Sequence, residues 1–576
     1  MKQIKLLLIA LLLLVGITSC GERMTERERW INEQLEQMTV RQQIAQLFVV
    51  HFHPPAGEAH VQQRMAEIRD EQVGGVIIGW VEPTQGARYI NEMQSQVRVP
   101  LLVVMDAEWG ISMRVDSVIR FPQQLTLGAI QDLDLIYQTG LEIARQCRIF
   151  GVHMNFAPIV DVNNNPHNPI INMRSFGENR YKVTERAREI MRGMHDGGIL
   201  TALKHFPGHG DTYLDSHLIL PTIPHDIERI EEIELFPFRQ LIPYATGVMT
   251  AHLHVPALCD KGIPVSQSRA VVHDLLVEEM GFQGLIVTDA LNMYGATDLL
   301  ENPNRAALYS LIAGHHILEM PVDVRESITE IENAVNSGEI ELELVQNAAR
   351  KILGAKFDLG LNKGFVPIET NGLLERLNTR AAYALRMRLA EHALTLVANR
   401  NDILPLNASE NLSKVRHIAI GDGAVFTNRI HEIAEIETVS IMSDFTQAQI
   451  NAATRNLRNA ETIIISYHHT PVRWFTSFEV AETIVNLTQN LARTHNVILV
   501  FFGNPYAIAS FTQPELFASV IVAYDNSMQS QISSARAVFG QIPFLGKLPI
   551  TINELFAEND GILMRAQHPD RVMMVP

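Results

Sequence analysis

Eight short apolar runs of β-type recur over the first 321 residues, at 46–50, 76–79, 101–105, 152–156, 200–204, 247–251, 285–288 and 316–319. The segments between them are long enough for helices, and several carry a helical period. Leu133, Tyr137, Leu141, Ala144 and Cys147, for example, are spaced to share one helix face. A chain that alternates strand and helix in this way builds a parallel α/β sheet, and eight repeats match a (β/α)8 TIM-type barrel. A doubly wound open sheet competes with the barrel, because periodicity does not reveal whether a sheet closes.

A second alternating region follows a connector at 364–380. Its apolar runs lie at 417–420, 438–442, 462–466, 497–502 and 519–524, and they predict a separate α/β layered sandwich domain. Two domains suit a chain of 576 residues, which exceeds what one core usually holds. A content of 47% hydrophobic against 19% charged residues excludes a disordered chain. The net charge of −17 argues against nucleic acid as a partner.

The N-terminus reads as an export signal. Lys2 and Lys5 precede an apolar run over 6–15, and Ile17, Thr18, Ser19 and Cys20 follow. The run is short for a membrane span and ends in small residues, as in a signal peptide. The position of Cys20 resembles a bacterial lipobox, which implies cleavage before Cys20 and acylation of its thiol. The mature protein would then be tethered to a bacterial membrane, on a periplasmic or cell-surface face, without spanning it. The expected division is a signal peptide over 1–19, an anchored linker over 20–30, the barrel over 31–363, a linker over 364–385 and the second domain over 386–576. The remaining cysteines, Cys147 and Cys259, make no disulfide framework and no metal spacing. Both are expected to be buried structural thiols.

In barrel enzymes the site lies at the C-terminal ends of the strands. Asp106, Lys204 with His205, His252 and Asp289 each close one of the apolar runs, so they are expected to converge on one mouth. A carboxylate there costs desolvation energy unless it is paired or used. One such residue alone reads as a helix cap; several together indicate a site. The segment from Lys204 to His217, KHFPGHGDTYLDSH, contains a proline and two glycines and reads as a loop. His205 and His209 are therefore no helical metal pair, and no zinc ligand set is apparent. Asp215 and His217 stand two apart on this loop. A carboxylate can orient an imidazole and stabilise its charged form, which makes His217 a candidate proton donor and acceptor. A polar surface loop is the competing reading of the same residues.

These motifs resemble glycoside hydrolase family 3, in its β-N-acetylglucosaminidase branch. The resemblance rests on Lys204 through His217, on Arg174-Ser175-Phe176-Gly177, and on Asp106-Ala107-Glu108-Trp109-Gly110 with Arg114. It continues through Asn155-Phe156-Ala157-Pro158 to Asp161-Val162-Asn163, and through Gly281-Phe282-Gln283-Gly284 to Asp289 and Met293. Gly546 to Thr551 is similar to the end of the family's second domain, so the likeness spans nearly all of the mature chain. It implies Asp289 as nucleophile and an Asp215–His217 pair as acid/base. It also implies that Asp106, Arg114, Arg174, Lys204 and His205 hold the sugar hydroxyls and N-acetyl group. The implied activity is a retaining exo-glycosidase that removes terminal β-linked N-acetylglucosamine from cell-wall fragments or oligosaccharides through a covalent intermediate. Lys204, Arg114 or Arg174 would favour the ionised form of Asp289. No cofactor and no metal are expected.

The chain departs from the family pattern in two places. Trp109 stands where many members carry a second glycine, and Glu178-Asn179-Arg180 stands where an acidic-Pro pair is common; both are expected at the pocket rim. Rival readings are a β-glucosidase or β-xylosidase and an N-acetylglucosaminide phosphorylase, the last because a histidine acid does not repel phosphate. A non-catalytic envelope lipoprotein that binds glycan is a rival of another class.

Overall fold

The computed structural model describes residues 24–442, 444–468 and 478–567. Cys20 and the leader lie outside the described residues. The strands of the first domain are β1 (Phe48–Phe52), β2 (Gly75–Ile78), β3 (Leu102–Met105), β4 (Met154–Asn155), β5 (Leu200–Thr201), β6 (Leu203–Phe206), β7 (Gly247–Thr250), β8 (Leu285–Thr288) and β9 (Leu318–Glu319). They pair in parallel, in the orders β5-β4-β3-β2-β1-β9 and β6-β7-β8. β5 and β6 are one strand interrupted at Ala202, whose N–H still donates to Asn155 O at 3.1 Å. The ring closes between β8 and β9: Val287 bridges Ile317, and the Thr288 N–H donates to Ile317 O at 3.1 Å. Each of the eight expected runs is therefore a barrel strand, and closure excludes the open sheet. β2, β3, β7 and β8 are buried at every position, because helices cover their outer face and side chains fill the lumen.

The helix predicted from residue 133 onward is α1 (Leu133–Ile149), but its buried face differs from the apolar spacing. Leu135, Ile136, Thr139, Gly140, Ile143, Ala144 and Cys147 are buried, whereas Leu141 is 38% exposed and Tyr137 lies at the flank. The reason is close contact with α2 (Arg180–Asp196). A Cβ on Gly140 would lie 2.1 Å from the Ile190 carbonyl oxygen, and one on Gly193 would lie 2.1 Å from that of Tyr137. Backbone approach through these glycines sets the register, and hydrophobic periodicity gives glycine no weight. Cys147 is buried as expected; Cys259 is partly exposed, which corrects the expectation for that thiol. The barrel's last long helix is α3 (Leu342–Asp358), and α4 (Arg380–Ala393) leads into the second domain.

The second sheet contains β10 (Thr395–Asn399), β11 (Val415–Gly421), β12 (Glu437–Ile441), β13 (Thr462–His468), β14 (Asn496–Phe502) and β15 (Ser519–Val522). Their order is β10-β15-β14-β13-β11-β12. The five expected strands are parallel, and β10, which the sequence reading did not foresee, pairs antiparallel with β15. Ligands of open α/β sheets bind outside the carboxyl ends of the strands. Here those ends carry Asp422, Asn504, Asp525 and Asn526 onto the cleft over the barrel mouth. Contacts across the two domains hold that arrangement. Asn163 Nδ2 donates to Tyr506 Oη at 3.0 Å, and Asn504 Nδ2 donates to Asn172 Oδ1 at 2.8 Å.

Candidate active site

The cleft between the barrel mouth and the second sheet has a volume of about 1580 Å³, more than the roughly 300–1,000 Å³ of an ordinary small-molecule site. It can therefore seat a ligand larger than one small ring. Asp106, Arg114, Arg174, Lys204, His205, His217 and Asp289 all line it.

Asp106 follows β3, and its partner Lys204 lies in β6. Lys204 Nζ donates to Asp106 Oδ1 at 2.9 Å and pairs with Glu108 Oε1 at 2.9 Å. Arg114 Nη2 donates to the other Asp106 oxygen at 2.9 Å. Arg174 grips Glu108 with two bonds, Nη2 to Oε1 at 2.7 Å and Nε to Oε2 at 3.0 Å. The result is an alternating chain, Arg114–Asp106–Lys204–Glu108–Arg174. Burial alone would push both carboxyls up. Lys204 and Arg114 nevertheless hold Asp106 well below the usual carboxylate range, and Arg174 and Lys204 hold Glu108 down to about 2. Burial opposes the charge of Lys204 as well, and Asp106 and Glu108 outweigh it, so its pKa rises. These groups present fixed donors and acceptors at neutral pH, preorganised for a polar ligand. Glu108 was missed as a site residue. Its signal was a second acid two positions after Asp106 in a quoted motif.

His205 is fixed by Asp161, which also went unassigned. Asp161 Oδ2 lies 2.8 Å from His205 Nδ1, and Oδ1 accepts the backbone N–H groups of His209 at 2.7 Å and His205 at 3.2 Å. With Nδ1–H donating to the carboxylate, Nε2 is the nitrogen not held by Asp161. Among the described residues no group of three or more His, Cys, Asp or Glu side chains is arranged to hold a metal ion.

Asp289 follows β8. Its N–H donates to Thr250 O at 3.0 Å, and its Oδ1 accepts the Ala290 N–H at 2.8 Å. Burial works to raise its pKa, but the His205 and His252 imidazoles, the Ala290 N–H and His217 outweigh burial and leave it lowered. The expected cations Arg114, Arg174 and Lys204 make their ion pairs with Asp106 and Glu108, and the leading causes of the lowering at Asp289 are the imidazoles and the Ala290 N–H. His252 does not line the cleft, contrary to the convergence expected of the strand ends. It stands behind Asp289, with Nε2 3.1 Å from Ala290 O and Nδ1 2.7 Å from Ser266 Oγ. A carbonyl only accepts, so Nε2 carries the proton and the Ser266 hydroxyl donates to Nδ1. Burial lowers the pKa of this ring.

Asp215 and His217 meet as the sequence predicts. Asp215 Oδ1 accepts the His217 backbone N–H at 2.8 Å and lies 2.7 Å from ring Nδ1. The His217 side chain is 51% exposed, and its ring lies on the cleft while Asp215 is not part of the lining. The loop is tied down at Ser216, whose carbonyl accepts the Gly295 N–H at 3.2 Å and whose Oγ lies 3.3 Å from His209 Nε2. The two departures from the family pattern separate here. Trp109 lines the cleft with the Arg120 guanidinium 5.1 Å over its ring. Glu178 is away from it and joins the domains, accepting from the N–H and hydroxyl of Thr551 at 2.9 and 2.6 Å.

A family profile described as the Glycosyl hydrolase family 3 N terminal domain matches residues 39–355. The chain is 32% identical over 355 residues to a beta-hexosaminidase A of Pseudoalteromonas piscicida, an alignment covering 57% of this chain and 58% of that protein. It is 25% identical over 551 residues to a beta-N-acetylglucosaminidase/beta-glucosidase of Cellulomonas fimi, covering 90% of this chain and 95% of that one. The structure of a glycoside hydrolase family 3 beta-N-acetylglucosaminidase from Paenibacillus sp. str. FPU-7 matches with a TM-score of 0.76 at 26% identity, covering 90% of this chain and 99% of that chain.

Proposed function

The chain belongs to glycosyl hydrolase family 3, and from that premise we propose that it is a β-N-acetylhexosaminidase that releases terminal β-linked N-acetylglucosamine with retention of configuration. The observation that carries this reading is the carboxylate-oriented ring of His217 on the same cleft as the ionised Asp289. The relatives named as a beta-hexosaminidase and as a beta-N-acetylglucosaminidase/beta-glucosidase support it.

In this proposal the chain Arg114–Asp106–Lys204–Glu108–Arg174, with His205, orients the sugar's hydroxyls and N-acetyl group. Asp289 attacks the anomeric carbon and forms a glycosyl ester as the glycosidic bond breaks. His217, as imidazolium steadied by Asp215, gives its Nε2 proton to the departing oxygen. The neutral ring then takes a proton from water, which attacks the anomeric carbon, breaks its bond to the Asp289 oxygen and regenerates Asp289. The proposed setting is a bacterial envelope, with the protein anchored through Cys20 and acting on cell-wall fragments or related oligosaccharides.

The test is a panel of nitrophenyl glycosides, assayed with and without phosphate. The expected result is turnover of the N-acetylglucosaminide well above that of the glucoside and xyloside, with free N-acetylglucosamine as product. Asp289→Asn should lower kcat by about a thousandfold or more with an unchanged circular-dichroism spectrum. A preference for glucoside or xyloside would replace the substrate assignment, and sugar-1-phosphate formed in phosphate buffer would make the protein a phosphorylase. Binding without turnover on any glycoside would leave a glycan-binding protein.

A further inference from the structure

Glu319 ends β9 with a carboxyl that no step above uses. The residue is 3% exposed, and its Oε2 is buried without a hydrogen-bond partner among the described residues. Strand register fixes the direction of the side chain. On β1, Val49 pairs with Glu319 and His51 pairs with Ile77. Register partners, and residues two apart on one strand, share a face. His51 and Ile77 line the cleft, so Val49 and Glu319 point to the lumen, and Glu319 is itself part of the lining.

The same reasoning places it beside the proposed nucleophile. Val287 bridges Ile317 across β8 and β9, so Asp289 and Glu319, each two residues further on, stand level on neighbouring strands. Such strands are about 5 Å apart. Two more bonds fix the spot: the Glu319 N–H donates to Thr288 Oγ1 at 2.9 Å, and the Leu291 N–H donates to Glu319 O at 2.9 Å. Two adjacent buried carboxyls with no cation between them do not readily both ionise. Burial, together with Asp106 and Asp289, pushes Glu319 well above the ordinary range, while Asp289 is held low. Glu319 therefore keeps the proton and stands as a neutral donor. A buried polar atom without a partner costs stability, and leucine would fill the same volume at the end of an apolar strand. The cost is accounted for if a ligand supplies the missing partner.

We propose that Glu319 is a further substrate-contacting residue, whose carboxyl hydrogen-bonds a hydroxyl of the pyranose seated against Asp289. This rests on the glycosidase reading. Wild type, Glu319→Leu and Glu319→Gln are compared on nitrophenyl N-acetylglucosaminide, with Tm recorded for each. The expected result is a roughly tenfold or larger fall in kcat/KM for Glu319→Leu, at a Tm no lower than that of wild type. Glu319→Gln, a neutral donor of the same length, should recover a substantial part of that loss. Wild-type kcat/KM in Glu319→Leu, or equal losses in both variants, would overturn the contact and leave the glycosidase reading intact. Absence of turnover in wild type on every glycoside would take both proposals down together.

Discussion

In the proposed mechanism His217 has the most demanding task of any single side chain, and it stands on an exposed loop. One carboxylate, Asp215, faces Nδ1 of the ring and accepts the residue's own backbone N–H. A general acid matters in proportion to how badly the leaving oxygen needs a proton. His217→Ala should therefore lower kcat/KM on a disaccharide by roughly 10²–10⁴-fold and have much less effect on a dinitrophenyl glycoside. Steady-state kinetics on the two substrates would measure this, and equal losses would argue against proton donation. Asp289, Lys204 and His205 were legible in the sequence because each interrupts or ends an apolar run. Glu108 and Asp161 were not, because an acid's partners are distant in sequence: Arg174 lies 66 residues from Glu108 and His205 lies 44 from Asp161.

At the scale of the element, α3 carries a buried cation that sets a pH dependence of stability. Lys356 Nζ donates to Gln46 Oε1 at 2.9 Å, and burial pushes its pKa down to about 7. His153 is a neighbouring titratable group, held down chiefly by burial and also by the charge of Lys356. The unfolded lysine titrates near ~10.4, above the folded value. Between about 7 and about 10 the unfolded chain therefore binds more protons, and stability rises with pH across that window. In chemical denaturation, Lys356→Met should lose this slope and gain on the order of a few kcal/mol at pH 7. An unchanged slope would place the titration elsewhere. Elements were legible where their period was strong. The face of α1 was not, because Gly140 and Gly193 rather than its large apolar residues meet α2.

At the scale of the molecule, the second domain forms one wall of the cleft, and Arg386 on α4 ties that wall to the barrel. Its Nη2 donates to Asp525 Oδ2 at 2.8 Å and Ser527 Oγ at 2.7 Å, and its Nε donates to Arg120 O at 3.1 Å. The Arg386 side chain is 2% exposed and Asp525 is 27% exposed, so the substitution leaves a half-buried carboxylate short of one charged donor. Arg386→Met should cost about 2 kcal/mol in guanidinium unfolding. It should also raise KM more than it lowers kcat, since Asp525 and Asn526 belong to the cleft wall formed by the second domain and Asp289 to the barrel. A loss below the uncertainty of the unfolding curve would mean that the interface does not depend on this tie.

The sequence by itself determined the alternation of strand and helix, the strand ends that carry charge, and the loop joining Asp215 to His217. These are local properties, written in period, composition and short spacings. The tertiary structure decided closure of the barrel, because a β8–β9 bridge belongs to no local pattern. It also decided which cations neutralise which acids, and it set Glu319 beside Asp289, since both follow from distances between segments far apart in the chain. Charge pairing in a buried site depends on a few ångströms, and only the folded chain fixes those.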